Sequence, residues 1–251
     1  MLKLLLSGCN GKMGQAVTRL IETTDNFVIS AGVDPYKTGN EPYPVYDRPS
    51  DFTGVVDVIV DFSNASAFEE LADYAISAKT PLIVATTGLD DRQIALLEKT
   101  SKTIAVFRTG NMSLGVNLLC ELVKKTAAIL GDDFNIEIVE KHHNQKVDAP
   151  SGTALMLADA AAGEMKDAEY IYERQSERRK RAPNEIGIHS IRGGTIVGEH
   201  EVIFAGFNEV ITLSHSALSR ELFAMGALKA AGFLAGKIPG IYSMADVVGS
   251  I

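Results

Sequence analysis

The fold of this chain is decided near its start, by residues 2–14, which read LKLLLSGCNGKMG. The apolar run Leu2–Ser7 has the length of a strand that is buried on both faces. The glycines that follow predict a sharp turn into a helix, expected from about Lys12 to Thr23. Glycine is needed there because the backbone must bend and pass close to a pyrophosphate. The first amides of that helix would favour the anion.

Asp34 strengthens the case for a dinucleotide site. It lies 20 residues beyond Gly14, at the end of a second predicted strand, where a carboxylate can accept hydrogen bonds from an adenine-ribose 2′-hydroxyl. The glycines are spaced G-x-x-G-x-x-G, so a purely structural turn stays an alternative. The carboxylate favours NADH because it would repel a 2′-phosphate, but Lys12 and Lys37 are close enough in sequence to offset it. The expected cofactor is therefore NADH or NADPH.

Strands and helices alternate over the first half of the chain. Further strands are predicted at residues 27–33, 55–61, 81–86 and 103–107, and further helices at residues 65–78 and 90–99. This rhythm predicts parallel βαβ units with right-handed crossovers. The expected fold class is α/β, beginning with an N-terminal Rossmann-like doubly wound parallel sheet.

The rhythm changes after Asn111. The next predicted elements are a helix at 114–130, a strand at 135–140, a helix at 152–165, consecutive strands at 186–192, 195–204 and 209–214, and a helix at 220–234. Strands without intervening helices predict a C-terminal α+β domain with a mixed or antiparallel sheet, whose free edge could pair with other copies. Residues 1–112 plus 220–251 are expected to form a dinucleotide-binding domain, and residues 113–219 a substrate-binding and oligomerisation domain.

Composition restricts the partners. A formal charge of −8 argues against nucleic-acid binding, so an acidic metabolite would need a local basic pocket. The cysteines, Cys9 and Cys120, are too few for a disulfide framework and indicate a reducing compartment. No run reaches the roughly 18 apolar residues that span a bilayer, and the apolar start is too short for a signal peptide. A cytoplasmic protein without nucleic-acid or membrane partners is expected.

The segment EKHHNQKVDAPSGTA, residues 140–154, offers such a basic pocket. Its adjacent histidines can donate or accept protons near neutral pH, and its lysines add positive charge. The segment ends at a predicted helix start, where the amides of Gly152 and Thr153 would face an anion. An acid–base and anion-binding loop is the favoured interpretation.

Three other interpretations of this segment stay open. The histidines could bind a metal, although no H-x-x-x-H spacing occurs and the cysteines are far away in sequence. The segment could be a solvated loop followed by a plain helix cap. Ser151 could be a nucleophile, although it lacks the G-x-S-x-G turn. No metal is expected.

The run E-K-H-H-x-x-K-x-D-A-P-S-G-T-A resembles the signature of the 4-hydroxy-tetrahydrodipicolinate reductases, also called dihydrodipicolinate reductases, of the bacterial lysine pathway. The resemblance covers nearly the whole chain in order, and includes residues 8–14, 61–63, 85–88, 111–117, 197–200 and 219–220. It implies NAD(P)H-dependent reduction of 4-hydroxy-tetrahydrodipicolinate to tetrahydrodipicolinate, a small dicarboxylate substrate, and a homotetramer built through the second sheet.

The resemblance also implies roles for individual residues. His142 would be the acid–base residue and Lys146 the proton donor, while His143, Gly152 and Thr153 would hold the substrate carboxylates. The implied cofactor contacts are Gly8, Cys9, Asn10, Gly11, Lys12, Met13, Asp34, Ala85, Thr86, Thr87, Thr109, Gly110, Asn111 and Met112.

The remaining polar residues are interpreted as structural. His189, His200 and His215 fall in or at the end of predicted strands, and Arg178–Arg181 is expected to be a solvated loop. Arg192, at the end of the strand predicted at 186–192, is expected to begin a turn from which it could face the substrate. Two alternative functions stay open: another two-domain nicotinamide dehydrogenase, acting on an amino-acid semialdehyde or aspartate, and a nucleotide-sensing binding protein. The His142–Thr153 run argues against the first, and the intact acid, base and anion groups argue against the second.

Overall fold

The computed structural model describes residues 1–176 and 178–250. The chain divides into two compact units, which we call unit 1 (residues 1–113 and 220–251) and unit 2 (residues 114–219). In chain order the strands are β1 (Leu2–Ser7), β2 (Phe27–Val33), β3 (Val45–Tyr46), β4 (Val58–Asp61), β5 (Leu82–Val84), β6 (Ala105–Arg108), β7 (Asn135–His142), β8 (Glu169–Ile171), β9 (Glu185–Arg192), β10 (Gly198–Ala205), β11 (Val210–Ala217) and β12 (Gly240–Tyr242). The helices are α1 (Lys12–Ile21), α2 (Phe68–Ala78), α3 (Asp91–Thr100), α4 (Leu114–Leu130), α5 (Gly152–Ala162), α6 (Glu221–Leu234) and α7 (Met244–Gly249).

Within residues 1–113 and 220–250, seven strands form one parallel sheet in the order β12-β6-β5-β4-β1-β2-β3. The strand order reverses at β1, which lies between β4 and β2. Ligands of open α/β sheets bind outside the carboxyl ends of the strands at such a point. The predicted Rossmann-like doubly wound sheet is confirmed.

The core of unit 1 follows from strands that are apolar on both faces. Leu4, Leu5 and Leu6 of β1 have no exposed surface, because helices pack on the sheet. Phe68 and Leu71 of α2 pack in one cluster with Leu5 and other strand residues, while α6 contacts α1, β4, β5 and β6.

Within residues 114–176 and 178–219, five strands form a mixed sheet in the order β11-β10-β7-β9-β8. β10 pairs antiparallel with β7 and β11, and β9 pairs parallel with β7 and β8. Residues of α4 and α5 share a buried cluster with Ile136 and Ile138 of the central strand β7. The predicted mixed second sheet is confirmed.

Several predicted boundaries were wrong, most by two or three residues. β4 begins at Val58 rather than at residue 55, β10 begins at Gly198 rather than at 195, and α5 ends at Ala162 rather than near 165. The first turn of the helix predicted at 65–78 is a 3₁₀ turn, Ala65–Ala67. β8, β12 and α7 were not predicted, because segments of three to six residues are too short to show a period.

The solvated loop predicted at Arg178–Arg181 was also wrong in part. Arg179 pairs with the buried carboxylate of Glu185. Arg181 pairs with Glu137 at 3.1 Å and also bonds Asn135. These arginines therefore attach their loop to the second sheet. No helix within residues 1–176 and 178–250 is long and apolar enough to cross a membrane.

Candidate active site

The turn between β1 and α1 is built on close backbone packing. Gly8 has a φ of +72°, and a Cβ added there would lie 2.6 Å from the carbonyl oxygen of Phe62. A Cβ on Gly14 would lie 2.3 Å from the carbonyl oxygen of Gly8. Both positions require glycine, so the turn is compact and its backbone is open to a ligand.

The start of α1 suits an anion. Its N-cap is Gly11, and no side chain caps the first turn. Lys12 and Met13 open the helix, with Lys12 exposed. An uncapped helix N-terminus presents backbone N–H groups and the positive end of the helix dipole. These residues fit the pyrophosphate of a dinucleotide.

Asp34 follows β2 and faces the same turn. Its carboxylate is buried and accepts hydrogen bonds from the amides of Asn10 at 3.0 Å and Tyr36 at 2.9 Å. A cavity of about 540 Å³ is lined by Gly8, Asn10, Gly11, Asp34 and Arg48, among others. The structure therefore brings together the glycine turn and the predicted ribose acceptor.

The cavity is also lined by a cation that was not predicted, Arg48. This residue is exposed. Lys37, which was expected to offset the charge of Asp34, instead pairs with Asp47 at 2.8 Å. Arg48 lies just before a short 3₁₀ turn, outside any motif, so no sequence signal connected it with the glycine turn.

Other predicted cofactor residues lie at the carboxyl ends of neighbouring strands. Ala85, Thr86 and Thr87 follow β5, and the Thr86 hydroxyl donates to the buried Asp61 at 2.7 Å. Burial raises the pKa of Asp61. The residues Thr109, Gly110, Asn111 and Met112 follow β6, with the Thr109 hydroxyl bonded to the carbonyl of Asn111 and Met112 buried.

Cys9 lies beneath the glycine turn rather than on its surface. The thiol is buried, and burial together with the nearby Asp34 carboxylate raises its pKa to about 12. A thiol held neutral in this way is not a nucleophile. Cys9 could contact a cofactor only through its backbone.

The acid–base candidates of unit 2 lie at the carboxyl end of β7. His142 is the last residue of that strand, and its Nδ1 lies 2.6 Å from the buried carboxylate of Glu140. The ring of His200 packs edge-on against it, with 5.2 Å between centroids. Burial, followed by the neighbouring His142, lowers the pKa of His200 to about 4. The apolar pattern predicted that His200 lies in a strand, but not that it contacts His142, because that contact depends on strand register.

The loop after β7 carries the other two basic side chains. The Lys146 side chain is partly buried, and its ammonium pairs with Asp148 at 2.8 Å. His143 has a buried Nδ1 with no hydrogen-bond partner among the described residues. A buried polar atom without a partner is costly unless a ligand or water satisfies it.

Ser151 caps α5. Its hydroxyl accepts from the amide of Ala154 at 3.1 Å and lies 2.9 Å from His200 Nε2. The side chain is buried and committed to these partners, which favours the capping role over the nucleophilic one. Gly152 and Thr153 form the first turn, and a Cβ on Gly152 would meet no atom within 4 Å. The helix start therefore borders open space.

Among residues 1–176 and 178–250, no group of three or more His, Cys, Asp or Glu side chains is arranged to hold a metal ion.

Two family models match the chain. The model described as "Dihydrodipicolinate reductase, N-terminus" matches residues 2–112, and "Dihydrodipicolinate reductase, C-terminus" matches residues 115–248. A 4-hydroxy-tetrahydrodipicolinate reductase of Caldanaerobacter subterraneus subsp. tengcongensis is 52% identical over 249 residues, covering 99% of this chain and 98% of that protein. The Clostridium botulinum enzyme of the same name is 49% identical, covering 99% of each.

Solved structures give the same picture of the fold. The dipicolinate-bound dihydrodipicolinate reductase from Paenisporosarcina sp. TG-14 superposes with a TM-score of 0.76 at 24% identity, covering 97% of each chain. A diaminopimelate dehydrogenase from C. glutamicum superposes with a TM-score of 0.57 at 13% identity, covering 98% of this chain and 93% of that one.

Proposed function

Because the chain belongs to the dihydrodipicolinate reductase family, we propose which of its residues carry out each part of the family's reaction. That reaction reduces 4-hydroxy-tetrahydrodipicolinate to tetrahydrodipicolinate with a pyridine nucleotide, in diaminopimelate and lysine biosynthesis. One observation carries the proposal: the end of β7 and the loop that follows it hold His142, His143 and Lys146 shortly before the start of α5. Proton donors and an anion-binding helix start are thereby supplied within about a dozen residues of chain.

The proton chemistry belongs to Lys146 and His142. When bound, a reduced nicotinamide would supply the hydride that the ring of the cyclic dicarboxylate receives, with loss of water from the hydroxylated ring before or during the reduction. The reduced ring is an enamine that must receive a proton. Lys146 Nζ donates it, and His142 serves as the acid–base partner through the ring nitrogen that does not contact Glu140.

The substrate carboxylates bind to His143, Gly152 and Thr153. Support comes from the buried, unsatisfied Nδ1 of His143 and from the open space beside Gly152. A carboxylate at the N-terminus of α5 would accept backbone N–H bonds and interact favourably with the helix dipole. Fixed positive charge around the ring also stabilises the electron density that develops during reduction.

The pyridine nucleotide binds along the carboxyl edge of the parallel sheet in unit 1. The turn from Gly8 to Met13 would hold the pyrophosphate and Asp34 the adenine ribose, and residues Ala85–Thr87 and Thr109–Met112, which follow β5 and β6, would supply the remaining contacts. Asp34 favours NADH, while Lys12 and Arg48 are the cations available to a 2′-phosphate. We therefore expect the enzyme to use NADH or NADPH.

The wider assignments rest on the same resemblance. Residues 1–112 plus 220–251 bind the dinucleotide, and residues 113–219 bind substrate and mediate assembly into a homotetramer through the second sheet. The protein acts in the cytoplasm, with neither nucleic acid nor membrane as a partner. Size-exclusion chromatography with light scattering tests the tetramer, and an elution at the mass of one chain would contradict it.

The reaction is tested by following nicotinamide absorbance with freshly generated 4-hydroxy-tetrahydrodipicolinate, using NADH and NADPH in parallel. We expect rapid oxidation that collapses in His142→Gln and Lys146→Ala. The matched control is Lys141→Ala, because the Lys141 ammonium pairs with Glu199 at 3.1 Å and Glu201 at 2.8 Å instead. The two wild-type rates give the cofactor preference. No oxidation with either cofactor, from protein that binds both, would contradict the proposal.

A further inference from the structure

Glu140 is a buried carboxylate that the proposed reaction does not use. It lies in the central strand β7, on the same face as Ile136, Ile138 and His142, because side chains on alternate positions of a strand share a face. The first two are part of the apolar core, yet Glu140 has no exposed surface. A charge in such a position is retained only when it is well paired, and an apolar pair would often be equally stable.

The carboxylate is paired by its own strand and by two other elements of unit 2. Arg192 of β9 donates two parallel bonds, 2.7 Å to each oxygen. His142 Nδ1 lies 2.6 Å from one oxygen, and the backbone amide of Ser151 donates to the other at 3.1 Å. Burial alone would raise the pKa of Glu140, but the hydrogen bonds from Arg192, His142 and Ser190 outweigh it and hold the pKa at about 2.

We propose that Glu140 is a positioning residue that fixes both halves of the substrate site. It holds His142 with a proton on Nδ1, so that Nε2 is the atom presented for proton transfer, and it anchors the backbone at Ser151, where the carboxylate-binding start of α5 begins. The inference rests on the proposed role of His142 and goes beyond it. The geometry is that of an orienting carboxylate behind a catalytic histidine.

Arg192 completes the arrangement rather than binding substrate. Beyond Glu140, its guanidinium donates to the carbonyl of Asp148 at 2.6 Å and to that of Ile191 at 2.8 Å. Arg192 therefore neutralises the buried carboxylate and attaches the end of the loop that carries Lys146. The predicted strand end at Arg192 is confirmed, because Arg192 closes β9 opposite His142, and the turn expected to begin there follows it.

The charged and titratable groups around His142 come from every neighbouring element. Glu140 lies beside it on β7, Arg192 on β9 and His200 on β10, while Lys146 and Asp148 lie in the following loop. Glu140 is the one carboxylate that the structure places in hydrogen-bond contact with the ring among the described residues. An imidazolium formed during the reaction would be stabilised there.

The test is Glu140→Gln, which keeps the shape of the side chain and removes its charge. We expect kcat to fall at least tenfold and the shape of the kcat–pH profile to change, because a carboxylate no longer orients the His142 ring. We also expect KM for the dicarboxylate to rise, because Ser151 loses its anchor. Nitrogen-15 spectra should show His142 protonated on Nδ1 in the wild type and a mixture of tautomers in the variant.

Glu137→Gln is the matched control. Glu137 lies on the same strand but on the opposite face, and its carboxylate also pairs with a histidine and arginines: His189 at 2.9 Å, Arg174 at 2.8 Å and Arg181 at 3.1 Å. A loss of structural ion pairs alone would lower stability in both variants. We expect only Glu140→Gln to change the pH profile, the KM and the tautomer of His142.

The outcomes separate this inference from the proposed function. Unchanged kcat, KM and pH profile in Glu140→Gln, with collapse in His142→Gln, would overturn the positioning role alone. An unchanged rate in His142→Gln would instead overturn the acid–base assignment. If Glu140→Gln does not fold, the wild-type spectrum still decides, because a His142 protonated only on Nε2 contradicts the inference.

Discussion

At the scale of single residues, some polar groups of the site already have a partner and others have none among the described residues. Lys146 is held by Asp148, whose own pKa is lowered by the hydrogen bond from that lysine. His143 Nδ1, by contrast, is buried without a partner among the described residues. A dicarboxylate would satisfy the histidine and compete with Asp148 for the ammonium. Binding of the substrate would thus replace Asp148 with a substrate carboxylate as the ion-pair partner of Lys146.

The positive charge of Lys146 and its role as proton donor can be tested separately. Lys146→Arg keeps the positive charge but replaces the ammonium with a guanidinium that does not deprotonate in proteins. We expect KM for the dicarboxylate to stay within about threefold and kcat to fall at least about a hundredfold, the usual size of a general-acid contribution. Steady-state kinetics beside Lys146→Ala measures both. A variant that keeps the wild-type kcat would remove Lys146 as the proton donor.

His200 makes stability depend on pH. Its pKa is lowered from 6.5 in the unfolded chain to about 4 in the folded protein, mainly by burial. The unfolded state therefore binds more protons than the folded state between these pH values. The contribution of His200 to the free energy of unfolding is fully present above pH 6.5 and is lost as the pH falls towards 4. The full effect is roughly 3 kcal/mol.

Urea unfolding at several pH values measures this effect as a difference between proteins. We expect His200→Gln to lose that part of the pH dependence, while His189→Gln, a partly exposed histidine of the same sheet, keeps it. Equal pH dependence in the wild type and in His200→Gln would show that His200 does not stay neutral in the fold.

At the scale of elements, the β1–α1 turn needs glycine at position 8 for two reasons, a positive φ and a close approach of another backbone segment. Its φ of +72° is unfavourable for other residues, and a Cβ would also collide with the Phe62 carbonyl at 2.6 Å. Gly39 has a similar φ of +81° but open space around it. The two glycines therefore distinguish backbone strain from close approach.

We expect Gly39→Ala to cost about 1 kcal/mol in unfolding free energy, from backbone strain alone. Gly8→Ala should cost more than about 2 kcal/mol and weaken nucleotide binding at least tenfold, because the turn must open to relieve the collision. Chemical denaturation and fluorescence titration with NADH check both values. Equal effects of the two substitutions would mean that the Phe62 contact is unimportant.

The elements with strong local signals could be predicted from the sequence, and the polar contacts between them could not. β1, β2 and α4 have the bounds that their apolar patterns predicted. Three-residue strands such as β8 lack such a pattern. The pairing of Glu140 with Arg192 spans 52 residues and depends on the register of β7 with β9, which places His142 opposite Arg192. No local period carries that information. The assigned cofactor contacts stay predictions.

At the scale of the whole molecule, the chain runs once through unit 1, then through unit 2, and returns. Unit 2 is one continuous segment, residues 114–219, with its own buried cluster on α4, α5 and the mixed sheet. Unit 1 is discontinuous. Its sheet needs β12, and α6 contributes buried residues against α1 and the strands. The two units should therefore respond differently to cutting the chain at residue 219.

We expect the excised segment 114–219 to fold by itself, because its core and its sheet are formed entirely within it. The segment 1–219 should lose nucleotide binding, because it lacks β12 at the sheet edge and α6, whose Ala227, Leu228 and Leu234 are buried. Exposing the surfaces that these residues cover costs more than the few kcal/mol by which a domain is stable. Circular dichroism with thermal melts, and NADH titration of 1–219, measure the two outcomes. A 1–219 segment that still binds NADH with native affinity would show that the returning chain is dispensable to unit 1.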